Sequence, residues 1–174
     1  MSDGTIPMTA SGLRRLKEEL KQLQGIERPK ISKEIEVARG HGDLSENAEY
    51  HAAKEKQSFI EGRIMNINDW IARAEVIDVR KLKGDKVVFG ATVLLSDIDT
   101  DKEVTYRIVG ELEADLSKRW ISIKSPVARA LIGKSAGDMV TVQSPGGARE
   151  YEIKDIRFED PDADTQDVAE SART

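Results

Sequence analysis

From Asn47 to Ala74 one stripe recurs without a break: Tyr50, Ala53, Gln57, Ile60, Ile64, Ile67, Ile71 and Ala74, in steps of 3, 4, 3, 4, 3, 4 and 3. A strand alternates every two residues. This period of 3.5 instead commits the stretch to a single long helix, whose narrow apolar seam must lie against a partner helix. The stripe is richest in isoleucine toward its C-terminal half and smaller or more polar at its start.

The partner arrives from the N-terminus. Thr9 is placed to cap a first helix, with Met8 and Leu13 as a hydrophobic staple across the cap. Leu13, Leu16, Leu20 and Leu23 then repeat at helical spacing, and Pro29 interrupts because it lacks a backbone donor and disfavours helix at Arg28. The apolar phase slips there and resumes as Ile31, Ile35 and Ala38, which predicts a kink or short break near Gly25–Pro29 and helix again to Arg39. Gly40 and Gly42 release the chain, and the second helix is expected from about Ser45. At ~1.5 Å per residue the resulting hairpin is roughly 40 Å long. Its outer faces are dense in Lys, Arg and Glu, as suits a rod in water.

Two readings fit the apex. Asp43-Leu44-Ser45-Glu46 has an acid three residues before a glutamate, the spacing of a helix capping box, and carboxylates are favoured at a helix start. Alternatively, Asp43 and Glu46 are a displayed metal-binding pair. Magnesium takes oxygen ligands and is commonly held by one or two carboxylates, with substrate phosphates and water completing the shell. Two carboxylates on a free tip hold it weakly, so this reading requires a partner to complete the site. Arg39 and Lys54 flank the turn where a nucleic-acid backbone would pass, and Tyr50 and His51 are placed to stack on bases. Each also has a plain reading, Tyr50 as a seam residue and the cations as solvated surface charge. The chain's two histidines, His41 and His51, both fall near this apex.

After Asp78 the pattern changes to short β-type segments: Lys86–Leu95, Glu103–Val109, Trp120–Ile123, Asp138–Val142 and Glu150–Phe158, with turns at 97–102 and 144–147. One short helix interrupts them, capped by Ser125, opened by Pro126 and closed by Gly133, with Val127, Leu131 and Ile132 expected to face the sheet. The fold class is therefore α+β: a long antiparallel helical hairpin plus a small antiparallel β domain with one short helix. The expected divisions are 1–78 for the hairpin with its acidic tip at 40–46, 79–158 for a docking domain, and 159–174 for a tail. No histidine, cysteine or nucleophile–base spacing in the second domain points to catalysis. The 174 residues include no cysteine, which excludes disulfides and thiolate metal sites. No apolar run reaches a membrane span and no secretory leader is visible, so the cytoplasm is the expected compartment. The net charge of −5 belongs to the tail. Its six acids and single base, set aside from totals of 32 and 27, leave 26 of each sign. Such a tail, poor in large apolar residues, is expected to be disordered.

Several long motifs resemble a known family. Gly42-Asp43-Leu44-Ser45-Glu46-Asn47-Ala48-Glu49-Tyr50-His51-Ala52-Ala53 is similar to the tip signature of the bacterial Gre transcript-cleavage factors. The run Ile121-Ser122-Ile123-Lys124-Ser125-Pro126-Val127-Ala128-Arg129-Ala130-Leu131-Ile132-Gly133-Lys134 resembles their C-terminal signature, and Val88–Val93 and Thr105–Gly110 also match. The likeness spans about Ile6 to Phe158. His41-Gly42-Asp43 and the Ser-Pro-Val-Ala-Arg form point to the GreA branch.

That resemblance implies a DNA-transcription role, carried by a coiled coil that enters the secondary channel of bacterial RNA polymerase. It also implies an FKBP-like C-terminal domain that holds the channel rim through Ser125 and Pro126. Asp43 and Glu46 inherit a catalytic metal role on Mg2+ shared with the polymerase. Arg39, Lys54 and Tyr50 inherit contact with the backtracked RNA 3′ end. Lys54 stands where arginine is frequent, keeping charge but losing a planar fork. The chain is then a catalytic cofactor rather than a free-standing nuclease, monomeric when active and without a membrane partner. Three other readings compete: a channel-plugging inhibitor, a prolyl isomerase and a coiled-coil adaptor. The inhibitor is expected to lack the tip acids, and the isomerase lacks an evident aromatic-lined pocket.

Overall fold

The structure is a computed structural model, and it describes residues 4–43 and 46–161. Ser45 and nearly all of the acidic tail fall outside the described residues. The chain divides into two compact units, one of residues 1–5 and Leu13–Ala74, the other of Ile6–Gly12 and Glu75 onward.

The first unit is the helical hairpin. Helix α1 (Ala10–Gln22) begins where Thr9 predicts, with the Gly12 amide donating to Thr9 Oγ1 at 3.1 Å. It does not break before Pro29. A π-helical turn over Leu23–Glu27 leads straight into α2 (Arg28–Arg39), and the Arg28 amide donates to the Leu23 carbonyl five residues back. The slip in the sequence pattern has this origin. Leu23 to Ile31 is eight residues, one more than a heptad, and the wide turn absorbs the extra residue so that both halves keep one seam. Pro29 sits in the first turn of α2, where its missing donor is tolerated.

Helix α3 (Ala48–Arg73) returns along α1 and α2. Ile31, Ile35, Ala53, Ile60 and Ile64 form its buried seam, with Leu20, Leu23 and Tyr50 partly buried at the margins. Bidentate forks flank the seam: Arg28 on Glu61 at 2.7 and 2.9 Å, and Arg63 on Glu19 at 2.6 and 2.9 Å.

The second unit is built on a five-stranded sheet in the order β5-β4-β3-β7-β6. Its strands are β3 (Thr92–Asp97), β4 (Glu103–Val109), β5 (Trp120–Ser122), β6 (Met139–Ser144) and β7 (Gly147–Arg157). The α+β class expected from the sequence is what the structure shows, with one pairing of a different sense: β4 and β5 run parallel, the rest antiparallel. The parallel pair needs a crossover, supplied by residues 110–119 through two 3₁₀ turns. Val93, Leu95, Ile108 and Ile153 bury one face of the sheet against helix α4 (Pro126–Leu131), which contributes Ala128 and Leu131. Ile132, expected to face the sheet, is 38% exposed, because the helix ends at Leu131 and Ile132 is already extended.

Two short strands were not evident in the sequence. β1 (Ile6–Thr9) and β2 (Ala74–Ile77) form a separate two-stranded sheet. Glu113 secures β1: its carboxylate accepts from the amides of Thr9 (3.0 Å) and Gly110 (2.9 Å) and from the Thr9 hydroxyl. A methyl group on Gly12 would overlap that carboxylate and would be admitted only by shifting the Glu113 side chain from its hydrogen-bonded position. Among the described residues, no helix is long and apolar enough to cross a membrane.

Candidate functional site

The Asn47 side chain ties the turn between α2 and α3 together. Asn47 Nδ2 donates to the Ala38 carbonyl at 2.7 Å, and Asn47 Oδ1 accepts from the Tyr50 amide at 3.0 Å. The end of one helix and the start of the next are thereby tied through a single residue. Gly42 makes the reversal in the left-handed region, φ 113.

Asn47 also sets where the second helix begins. It is the N-cap of α3, so the helix starts three residues later than expected from Ser45, and its cap is Asn47 rather than Asp43. Both carboxylates precede the cap and both are exposed. They line one open depression of about 490 Å³ with His41, Ala48 and Glu49. His41 Nε2 lies 3.8 Å from Glu49 Oε2 on its wall. The start of α3 bears on the same place, and its partial positive charge favours acids there. Among the described residues no three potential ligand side chains cluster tightly enough to hold a metal ion alone.

The other sequence-derived residues separate into groups. Arg39, the last residue of α2, places its guanidinium carbon 5.9 Å from the centroid of the Tyr50 ring, and Tyr50 meets His51 edge-on at 5.7 Å. Tyr50 is thus half in the seam, with a cation on its outer face. Lys54 lies further along α3, exposed, and donates to Gln57 Oε1 at 3.1 Å, outside the acid-lined depression. In the second unit Ser125 caps α4 by accepting from the Ala128 amide at 3.2 Å, and Pro126 is exposed beside it. Sequence reasoning missed Asn47. The signal was present, since asparagine is among the best N-caps, but Asp43 and Ser45 offered competing caps a few residues earlier.

Known proteins define what kind of molecule carries this site. The transcription elongation factor N-terminal family model matches residues 6–76, and the GreA/GreB C-terminal model matches residues 82–158. The chain belongs to the GreA/GreB family of transcription elongation factors, on its GreA branch. Transcription elongation factor GreA of Anaeromyxobacter sp. (strain K) is 64% identical over 161 residues, covering 92% of this chain and 97% of its own. The GreA of Mesorhizobium japonicum is 61% identical over 153 residues, covering 88% and 98%. A solved structure, GreA factor homolog 1 (Gfh1) of Thermus thermophilus, aligns at 25% identity over 88% of this chain and 99% of its own, with a TM-score of 0.41, too loose to add to the fold description.

Proposed function

We propose that this elongation factor binds RNA polymerase, inserts its hairpin into the secondary channel, and stimulates endonucleolytic cleavage of the nascent RNA 3′ end in backtracked complexes. The observation that supports this most directly is that Asp43 and Glu46 are both exposed and line one open depression ahead of the Asn47 cap. Two exposed acids lining one depression repel one another and lie outside the buried seam. They make sense as ligands for a cation completed by another molecule.

The donor set fits magnesium in part: carboxylate oxygens are the right chemistry, and two residues are too few for a closed site. When bound between polymerase and tip, the ion would supply Lewis-acid stabilisation of the attacking and leaving oxygens. The chain's own residues do the rest. Asp43 and Glu46 hold their oxygens toward the shared site and orient water by accepting its hydrogen bonds. Asn47 fixes the turn that aims them. Arg39, Tyr50 and Lys54 line the approach for the RNA 3′ end, the cations by neutralising phosphate charge. Half-buried Ser125 and exposed Pro126, at the start of α4, meet the channel rim. On this reading the chain is not itself a nuclease but a catalytic cofactor of polymerase, acting as a monomer.

The test is RNA cleavage in purified, backtracked elongation complexes with and without this protein. The reading expects shortened RNA and resumed extension only when the factor is added with magnesium. Equal cleavage in its absence would contradict the reading.

A further inference from the structure

The core face of the five-stranded sheet ends in a charged pocket, beside the turn that joins β3 to β4. Val93, Leu95 and Asp97 alternate along β3 onto that face, and Val104 and Tyr106 of β4 stand opposite Leu95 and Val93. On the other side of β3, Tyr151 of β7 stands opposite Asp97. The buried Asp97 carboxylate organises this end of the sheet. Its Oδ1 accepts from the amides of Asp99 (2.9 Å) and Thr100 (3.3 Å), which folds the turn, and its Oδ2 accepts from Arg149 Nη1 at 3.3 Å. Arg149 is exposed and so held in place, with most of its N–H donors left for another acceptor.

The cavity here measures about 400 Å³, a volume suited to one small molecule. Its walls divide by chemistry. Tyr106 and Tyr151, half-buried, pack on the core and offer ring surface. Lys102 and Arg119 join Arg149 as cations on the exposed rim, and among the described residues neither is held in an ion pair. The Arg119 backbone is pinned: its amide donates to the Leu116 carbonyl at 3.1 Å, its carbonyl accepts from the Arg107 amide at 3.0 Å, and its φ of 58 is costly for a residue with a Cβ. Glu103 is the lining carboxylate that Arg149 does not engage. We infer that this pocket binds a nucleoside phosphate, with the base on the tyrosine rings, the ribose hydroxyls donating to Glu103, and the phosphate oxygens accepting from Arg149, Arg119 and Lys102. Aromatic rings stack on any base. A carboxylate accepts from ribose hydroxyls. Guanidinium groups hold phosphate oxygens through paired N–H bonds. Glu103 would repel an acidic peptide, and an RNA strand needs a track of cations longer than one cavity, so the ligand is a free mononucleotide.

The test uses the full chain without magnesium or polymerase, so its outcome is independent of the hairpin's proposed role. Adenosine diphosphate is titrated while the ring signals of the three tyrosines are followed by NMR, with Tyr50 of the hairpin as the internal reference. Tyr106 and Tyr151 should shift along one saturating curve while Tyr50 stays in place. Inorganic pyrophosphate and adenosine should each bind about tenfold more weakly, since each leaves one wall without its partner. Arg119→Gln and Lys102→Gln, both at exposed positions, should each weaken adenosine diphosphate binding about tenfold, the scale of one lost charged hydrogen bond. Glu103→Ala should erase the preference for adenosine diphosphate over its 2′-deoxy form. Unmoved Tyr106 and Tyr151 signals overturn the inference, as does pyrophosphate binding as tight as that of the nucleotide or binding unchanged by the two cation substitutions. A preference for the ribose form that survives Glu103→Ala overturns it too. A short oligoribonucleotide that binds more than about tenfold tighter than the nucleotide would assign the pocket to RNA and equally overturn it.

Discussion

The hairpin and the five-stranded unit use charge in opposite ways. The hairpin keeps it outside: paired acids and bases flank an apolar seam, and Asp43 and Glu46 stand exposed at the turn. The sheet unit draws charge inward. Asp97, 5% exposed, accepts from the amides of Asp99 and Thr100 and from Arg149; Arg107 is buried against Trp120; Glu113 spans three donors. Charge on the rod is therefore available to other molecules, whereas charge in the sheet unit mostly specifies the position of its own chain. Substitutions should separate the two regions accordingly.

The largest effect on stability belongs to the sheet core. Leu131→Ala empties a fully buried position under the sheet and should cost about 2–5 kcal/mol in denaturant unfolding. Glu113→Ala leaves the Thr9 and Gly110 amides without their carboxylate and should cost about 1–3 kcal/mol. A loss near zero would show that β1 is not held by that side chain. In the hairpin, Asn47→Ala removes both ties across the turn and should cost about 1 kcal/mol. Its sharper readout is function, because the acids would remain while their aim is lost.

The smallest effect is the response to acid. The hydrogen bond from Arg28 holds the Glu61 carboxyl below its ordinary pKa, and Arg80 does the same for Asp78. A carboxylate depressed in the folded state contributes stability above its unfolded pKa and loses it as pH falls through the folded value. Melting temperature should therefore stay level near neutrality and decline below about pH 4. Glu61→Gln should flatten that decline slightly in the hairpin.

The same contrast governs what the sequence disclosed. Hairpin contacts are periodic, so the stripe from Tyr50 to Ile71 marks the seam, and even the one-residue slip before Ile31 has its counterpart in the π turn. Local caps at Thr9 and Ser125 were legible for a similar reason, since each depends on an amide three residues away. Sheet pairing is not local. Glu103–Val109 was expected as a strand, yet nothing in its neighbourhood signals that β5 will lie parallel to it. Lys86–Leu95 read as one strand, but only Thr92 onward joins β3. Before that, Val87 exchanges backbone hydrogen bonds with Gly133 and Lys134, in the chain that follows α4. At the apex the sequence supplied the acids, and the structure supplied Asn47, whose cap leaves them exposed.

The central claim is that the exposed turn acids act on another molecule's reaction, and one comparison addresses it directly. Asp43→Asn and Glu46→Gln chains, matched to the unaltered chain for folding and for binding to RNA polymerase, should be measured for RNA cleavage in backtracked complexes. The account predicts retained binding and cleavage lowered on the order of 10²-fold or more, the scale of a lost electrostatic stabiliser. Unchanged cleavage with either substitution would contradict it.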